Sequence, residues 1–148
     1  NNENDIRHKG IPVTKINLIK ERSEIIHLIQ SFKPDVIVHT AAFASMDFCE
    51  SNPHIADLLH IDITRDIVHI CKEIKSKLIY FSTDAVFDGS LKRKYLEDDC
   101  PNPISHYGKT KLAAERIILE ESSQNVILRT TVIYGWHARS HCRSRGQQ

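Results

Sequence analysis

Tyr107 and Lys111 stand four positions apart, the spacing that puts two side chains on one face of a helix and within reach of each other. A free phenol has a pKa of about 10, and a neighbouring ammonium favours the phenolate. Such a pair moves a tyrosine toward the range in which it exchanges a proton with a carbonyl or an alcohol near neutral pH. With four tyrosines and eleven lysines in 148 residues, chance alone gives about 0.3 such pairs, so the context has to carry the weight. Among the four tyrosines only Tyr107 has a lysine at that distance, and it follows a long segment rich in Asp, Gly and Pro. Thr83, just after an apolar run, is a second candidate. Its hydroxyl could hold a substrate carbonyl oxygen in the same crevice, or it could simply turn the chain together with Asp84.

The elements that must position these residues alternate between two periods. Residues 13–18 read as a short strand, and 21–32 as a helix with Ile25, Ile26, Leu28 and Ile29 on one side. Residues 35–39 are short, apolar and β-branched, as a buried parallel strand should be, and run into a loop of small residues at 40–45. The apolar residues of 53–74 recur at three and four, with Pro53 near the first turn, which predicts the longest helix. A strand at 77–82, a long loop at 83–105, a helix at 107–121 and a strand at 125–129 complete the order. Loops of that length inside a compact domain are usually functional or disordered. Alternation of this kind predicts an α/β fold: a parallel sheet covered on both faces by helices, with ligands outside the carboxyl ends of the strands.

Composition bounds the function. Hydrophobic residues make up 41% and charged residues 26%, as in an ordinary soluble domain. No run approaches the roughly 20 apolar residues that span a bilayer, so no membrane is expected. Residues 1–136 carry 17 basic and 19 acidic side chains, while Arg139, Arg143 and Arg145 lie in an acid-free tail. That balance lacks the basic stripe a nucleic-acid surface needs. Cys49, Cys71, Cys100 and Cys142 form no C-x-x-C pair, which fits a reducing cytoplasm better than a disulfide framework. His137, His141 and Cys142 could suggest a metal, but three donors in a tail give no fixed geometry, and no metal is expected. Residues 1–136 are read as one domain and 137–148 as a disordered basic tail.

Several long segments resemble a known family. Residues 81–89 (FSTDAVFDG), 101–115 (PNPISHYGKTKLAAE) and 128–135 (LRTTVIYG) are similar, in order, to signatures of the extended short-chain dehydrogenase/reductases, and within them of the dTDP-4-dehydrorhamnose reductase group. Residues 33–43 (KPDVIVHTAAF) and their continuation to Glu50 are similar to that family's fourth strand and cofactor-facing loop. The resemblance covers about residues 10–136. It implies a Rossmann-like NAD(P)-binding domain and reduction of a 4-keto-6-deoxy nucleotide sugar with NADPH or NADH.

The resemblance also implies roles. Tyr107 would deliver a proton to the keto oxygen, Lys111 would lower its pKa and bind the nicotinamide ribose, and Thr83 would hold the keto oxygen. Thr40, Ala41, Ala42, Thr130 and Thr131 would line the cofactor, while Asp84 and Val86 would face the sugar. The helices at 53–74 and 107–121 would be able to form a homodimer, or simply pack on the sheet. A nonenzymatic regulator, the beta subunit of methionine adenosyltransferase, resembles the same family, so these motifs leave a regulatory role open. Gly10, Gly89, Gly108, Gly135 and Gly146 are isolated, so the family's glycine-rich pyrophosphate turn is not found, and His60 stands where the family usually has Asn. The expectation is therefore an incomplete fold, without its first strands and substrate lobe, whose strand at 35–39 has an open edge.

Overall fold

The computed structural model describes residues 13–122 and 124–131 of the chain. Three parallel strands, β1 (Val36–His39), β2 (Lys77–Thr83) and β3 (Val126–Thr130), form one sheet in the order β1-β2-β3. Ile37 and His39 stand opposite Leu78 and Tyr80, and Tyr80 and Ser82 opposite Ile127 and Arg129. These side chains face the helices. The helices are α1 (Arg22–Phe32), α2 (Met46–Ser51), α3 (Pro53–Asp57), α4 (Ile63–Ile74) and α5 (His106–Glu121). Ile29, Ile63, Ile67, Ile70, Ala114 and Ile118 close the core against Leu78 and Tyr80.

The expected helix at 53–74 is present but not uniform. A π-helical segment, Leu58–Asp62, joins α3 to α4 and contains buried His60. Segments of this kind widen the backbone by one residue and reorient the side chain they carry. A short helix, Met46–Ser51, follows the loop of small residues, in a stretch the sequence pattern leaves unassigned. Ser45 caps it, its side chain accepting from the Phe48 amide.

Residues 13–18 do not form the expected strand. The Asn17 side chain accepts from the amides of Ile19 and Lys20, and the Glu21 carboxylate accepts from the Asn17 amide. Local side-chain bonds thus take the backbone donors and lead the chain into α1 instead of a ladder. The loop after β2 begins with a 3-10 turn at Asp84–Val86. The proposed tail at 137–148 lies outside the described residues.

Among the described residues the helices cover one face of the sheet and not both as the alternation predicts, because α1, α4 and α5 all pack against the Leu78–Tyr80 side. The other face carries Val36, Val38, Ile79, Phe81, Val126 and Leu128, of which Val38 is 56% exposed. Among the described residues β1 is an edge strand, and the exposed apolar face runs across all three strands. No helix among the described residues is long and apolar enough to cross a membrane.

The two faces predict opposite costs. Leu78→Ala, at a fully buried position, should lower stability by about 2–5 kcal/mol. Val38→Ala, on the open face, should cost less than about 1 kcal/mol. Urea unfolding of the two variants checks this, and equal losses would contradict the assignment of the faces.

Candidate active site

The site gathers where β2 ends and α5 begins. Ser105 caps α5 by accepting from the Gly108 amide, which sets the first turn and with it Tyr107. Gly108 is required by close packing. A Cβ there would lie 2.2 Å from the Ala85 carbonyl oxygen and 3.0 Å from the Pro103 Cβ. The helix therefore seats directly on the Asp84–Val86 turn, bringing Tyr107 to Thr83. Thr83 is buried, and its hydroxyl accepts from the Ala85 amide at 3.1 Å. Thr83 thus turns the chain with Asp84 and also stands against Tyr107. Its hydroxyl also supports the ionised form of Tyr107.

Lys111 is 2% exposed. Its ammonium donates to the Phe81 carbonyl at 2.6 Å and lies 4.0 Å from the centre of the Tyr80 ring. Burial pushes its pKa down to about 8, opposed by the Glu115 carboxylate one turn along the helix. Tyr107 is half-buried, and burial raises its phenol above the usual value. The expected lowering of Tyr107 by Lys111 is not met in this arrangement, because the ammonium is turned to Phe81 and Tyr80 and burial of the phenol dominates.

His60 joins the surrounding pieces. Its Nε2 accepts from the Phe43 amide at 3.0 Å, which leaves the proton on Nδ1, 2.7 Å from the Thr110 hydroxyl. Thr110 in turn donates to the Tyr107 carbonyl at 2.9 Å. The Tyr107 ring meets the imidazole edge-on at 5.7 Å. His60 thus ties the loop after β1 to the first turns of α5, a role no local pattern signals. His39, the last residue of β1, bonds Thr64 at 3.1 Å and is a packing histidine. Burial, with the Lys111 charge, pushes both imidazoles down to about 4.

The other expected residues divide. Ala41 and Ala42 are half-buried and Thr40 is exposed, all on the loop that follows β1. Thr130 bonds the Ser82 carbonyl at 3.4 Å, and Thr131 is exposed just past β3. Asp84 is exposed beside Thr83, but the Val86 side chain is fully enclosed and unavailable to a sugar. Among the described residues no group of His, Cys, Asp and Glu could hold a metal ion; His137, His141 and Cys142 lie outside them.

Two predictions follow from this geometry. Because both histidines titrate at about 4 in the fold against 6.5 when free, the unfolded chain binds more protons between those values. Stability should be full above pH 6.5 and fall as the pH drops toward 4, by up to about 1.4 kcal/mol per pH unit for each histidine. His60→Gln should make that slope shallower in urea titrations from pH 7 to 4, and an unchanged slope would contradict it. Gly108→Ala should cost about 1–3 kcal/mol and displace the Asp84–Val86 turn, measured by unfolding and by amide shifts at Ala85.

A profile of the RmlD substrate-binding domain matches residues 2–144. The methionine adenosyltransferase 2 subunit beta of Xenopus laevis is 41% identical over 120 residues, 81% of this chain and 35% of that protein. The dTDP-4-dehydrorhamnose reductase of Shigella flexneri is 36% identical over 110 residues, 74% of this chain and 37% of that one. Among solved structures, the dTDP-4-dehydrorhamnose reductase of Bacillus anthracis in complex with NADP is similar with a TM-score of 0.74 and 30% identity, covering 82% of this chain and 43% of its own. The Yersinia enterocolitica enzyme gives 0.76 and 33%, covering 84% and 44%. The chain spans about a third of the length of these curated relatives. With a family match over nearly the whole chain and the parallel sheet of the structural neighbours, this chain belongs to the RmlD substrate-binding domain family, with a Rossmann-like fold.

Proposed function

We propose that this chain is part of an NAD(P)H-dependent reductase of a 4-keto-6-deoxy nucleotide sugar, similar to dTDP-4-dehydrorhamnose reductase and suited to dTDP-rhamnose synthesis. The observation that carries the reading is the convergence of Tyr107, Lys111 and Thr83 at the carboxyl end of β2, where α5 seats on the Asp84–Val86 turn.

The residues present suit the nicotinamide end of a dinucleotide. Lys111 has three N–H donors, and the Phe81 carbonyl occupies one, so a buried ammonium has donors left for ribose hydroxyls. Thr40, Ala41 and Ala42 would line the same side, with Thr130 and Thr131 at the end of β3. Among the described residues no glycine-rich turn stands ready for the pyrophosphate. When bound, NADPH or NADH supplies the hydride.

The chain's own residues would manage the proton. Thr83 would donate to the keto oxygen and hold it near the Tyr107 hydroxyl. Tyr107, kept protonated by burial, would give its proton to that oxygen as negative charge develops there. Lys111, its ammonium held against Phe81 and Tyr80, would favour the resulting phenolate through its positive charge. Asp84, exposed beside Thr83, would be available to the sugar hydroxyls.

A second reading is a nonenzymatic regulatory subunit, favoured by the 41% identity to a methionine adenosyltransferase beta subunit. The protein carrying this chain would then bind a synthetase and show no reductase activity. Pull-down with a methionine adenosyltransferase catalytic subunit, alongside cofactor-oxidation assays, separates the two.

For the reductase, Tyr107→Phe should lower kcat by about 10² or more while cofactor binding persists. The rate should be held below pH 8 and decline above it, since Lys111 loses its charge through a pKa of about 8. Steady-state kinetics with a 4-keto-6-deoxy nucleotide sugar measure both. Undiminished activity in Tyr107→Phe would overturn its role as the acid.

A further inference from the structure

The loop that leaves the Asp84–Val86 turn is built on a side chain from the far strand. Arg129 of β3 donates from Nε and Nη2 to the Glu115 carboxylate, at 3.0 Å to Oε1 and 2.7 Å to Oε2. Its remaining fork nitrogen, Nη1, donates to the Glu97 carbonyl at 3.2 Å, and the guanidinium lies 5.2 Å from the centre of the Phe87 ring. Phe87 stacks on Tyr95 at 4.2 Å, and Tyr95 donates to Asp88. One planar cation thus touches both ends of the loop at 87–99.

The other end of this chain of contacts reaches the site. Glu115 is 1% exposed and lies one helical turn beyond Lys111 on α5. Its Oε1 also accepts from the Ser82 hydroxyl at 2.5 Å, next to Thr83. Glu115 is therefore fully engaged: Ser82 on β2, Arg129 on β3 and, through Arg129, the loop. The loop has its own ties as well, an Arg93–Asp99 ion pair within it and an Asp88–Asn102 bond to the segment that leads into α5. Among the described side chains, Arg129 is the one whose hydrogen bonds run from the loop, at Glu97, to α5, at Glu115.

We propose that Arg129 is a positioning residue, which by holding Glu97 and Phe87 to the buried Glu115 of α5 fixes the 87–99 loop relative to Tyr107 and so shapes the nucleotide-sugar side of the site. The substrate half of this statement rests on the reductase reading. The mechanical half, that the loop is held to α5 through Arg129, does not. Lysine at this position keeps a charge beside Glu115 but carries its three donors on one nitrogen, which cannot span the Glu115 carboxylate and the Glu97 carbonyl as the fork does, or lie flat on Phe87.

The test uses Arg129→Lys in the full-length protein that carries this sequence. Hydrogen exchange at the Leu91 and Leu96 amides should accelerate by about tenfold or more while amides of α4 keep the wild-type rate. Exchange at both loop amides within about twofold of wild type would overturn the proposal. If Arg129→Lys fails to fold, the paired variant Glu115→Leu with Arg129→Met removes both charges and leaves no buried carboxylate without a partner; the same acceleration is expected, and its absence overturns the proposal equally. In kinetics, Arg129→Lys should raise KM for the nucleotide sugar about tenfold, with kcat and the Kd for NADPH near wild type. A fall in kcat at unchanged KM would overturn the substrate half. Wild-type protein without reductase activity would overturn the reductase reading, with loop exchange still deciding whether Arg129 holds the loop.

Discussion

An ammonium group inside the helix layer of a parallel sheet is costly unless its surroundings are built to receive it, and Lys111 is such a group. Its reception sets much of what surrounds it. The Phe81 carbonyl accepts from it, the Tyr80 ring lies beneath it, and Glu115 follows one turn later on α5. Those partners require α5 to lie close along β2, which Gly108 permits by letting the helix start against the Ala85 carbonyl. The same seating delivers Tyr107 to Thr83. The charge of Lys111 also reaches His39 and His60, which burial already holds neutral, so that their nitrogens serve as fixed hydrogen-bond partners rather than as cations.

Two bracing systems spread from this centre. On one side the π-helical segment presents His60 to the Phe43 amide and to Thr110, tying the loop after β1 to α5. On the other, Glu115 and Arg129 tie α5 to β3 and to the loop after β2. The candidate site therefore sits between two loops, one joined to α5 through buried His60 and the other through the Arg129–Glu115 pair. Both connectors are polar because each must hydrogen-bond a backbone group of its loop while anchored on a partner in the helix layer.

Much of this was legible because it is local or periodic. The strands at β1 and β2 show as short β-branched or apolar runs, α5 follows the long loop as a helical pattern, and Tyr107 and Lys111 share a face by their spacing alone. What was not legible depends on contacts distant in the chain. Nothing near residue 60 signals that the helix widens there, since the bonds from His60 go to Phe43 and Thr110. The segment at 13–18 alternates like a strand, yet Asn17 and Glu21 satisfy its neighbours locally and no ladder forms. Val86 shares the motif of Thr83 and Asp84 but turns inward, because the 3-10 turn buries it beneath the chain. Spacing likewise predicts the opposite direction for the Tyr107 shift: it places an ammonium nearby, but in the fold that ammonium is engaged by Phe81 and burial governs the phenol.

The most direct test of the account is a calorimetric titration of NADPH and NADH into the full-length protein, wild type beside Lys111→Met, which keeps the length of the side chain without its charge. The account expects the wild type to bind one of the two cofactors and the variant to bind it at least about tenfold more weakly. Equal affinity in the folded variant, or no binding by the wild type, would contradict the assignment of this buried lysine to a nicotinamide cofactor.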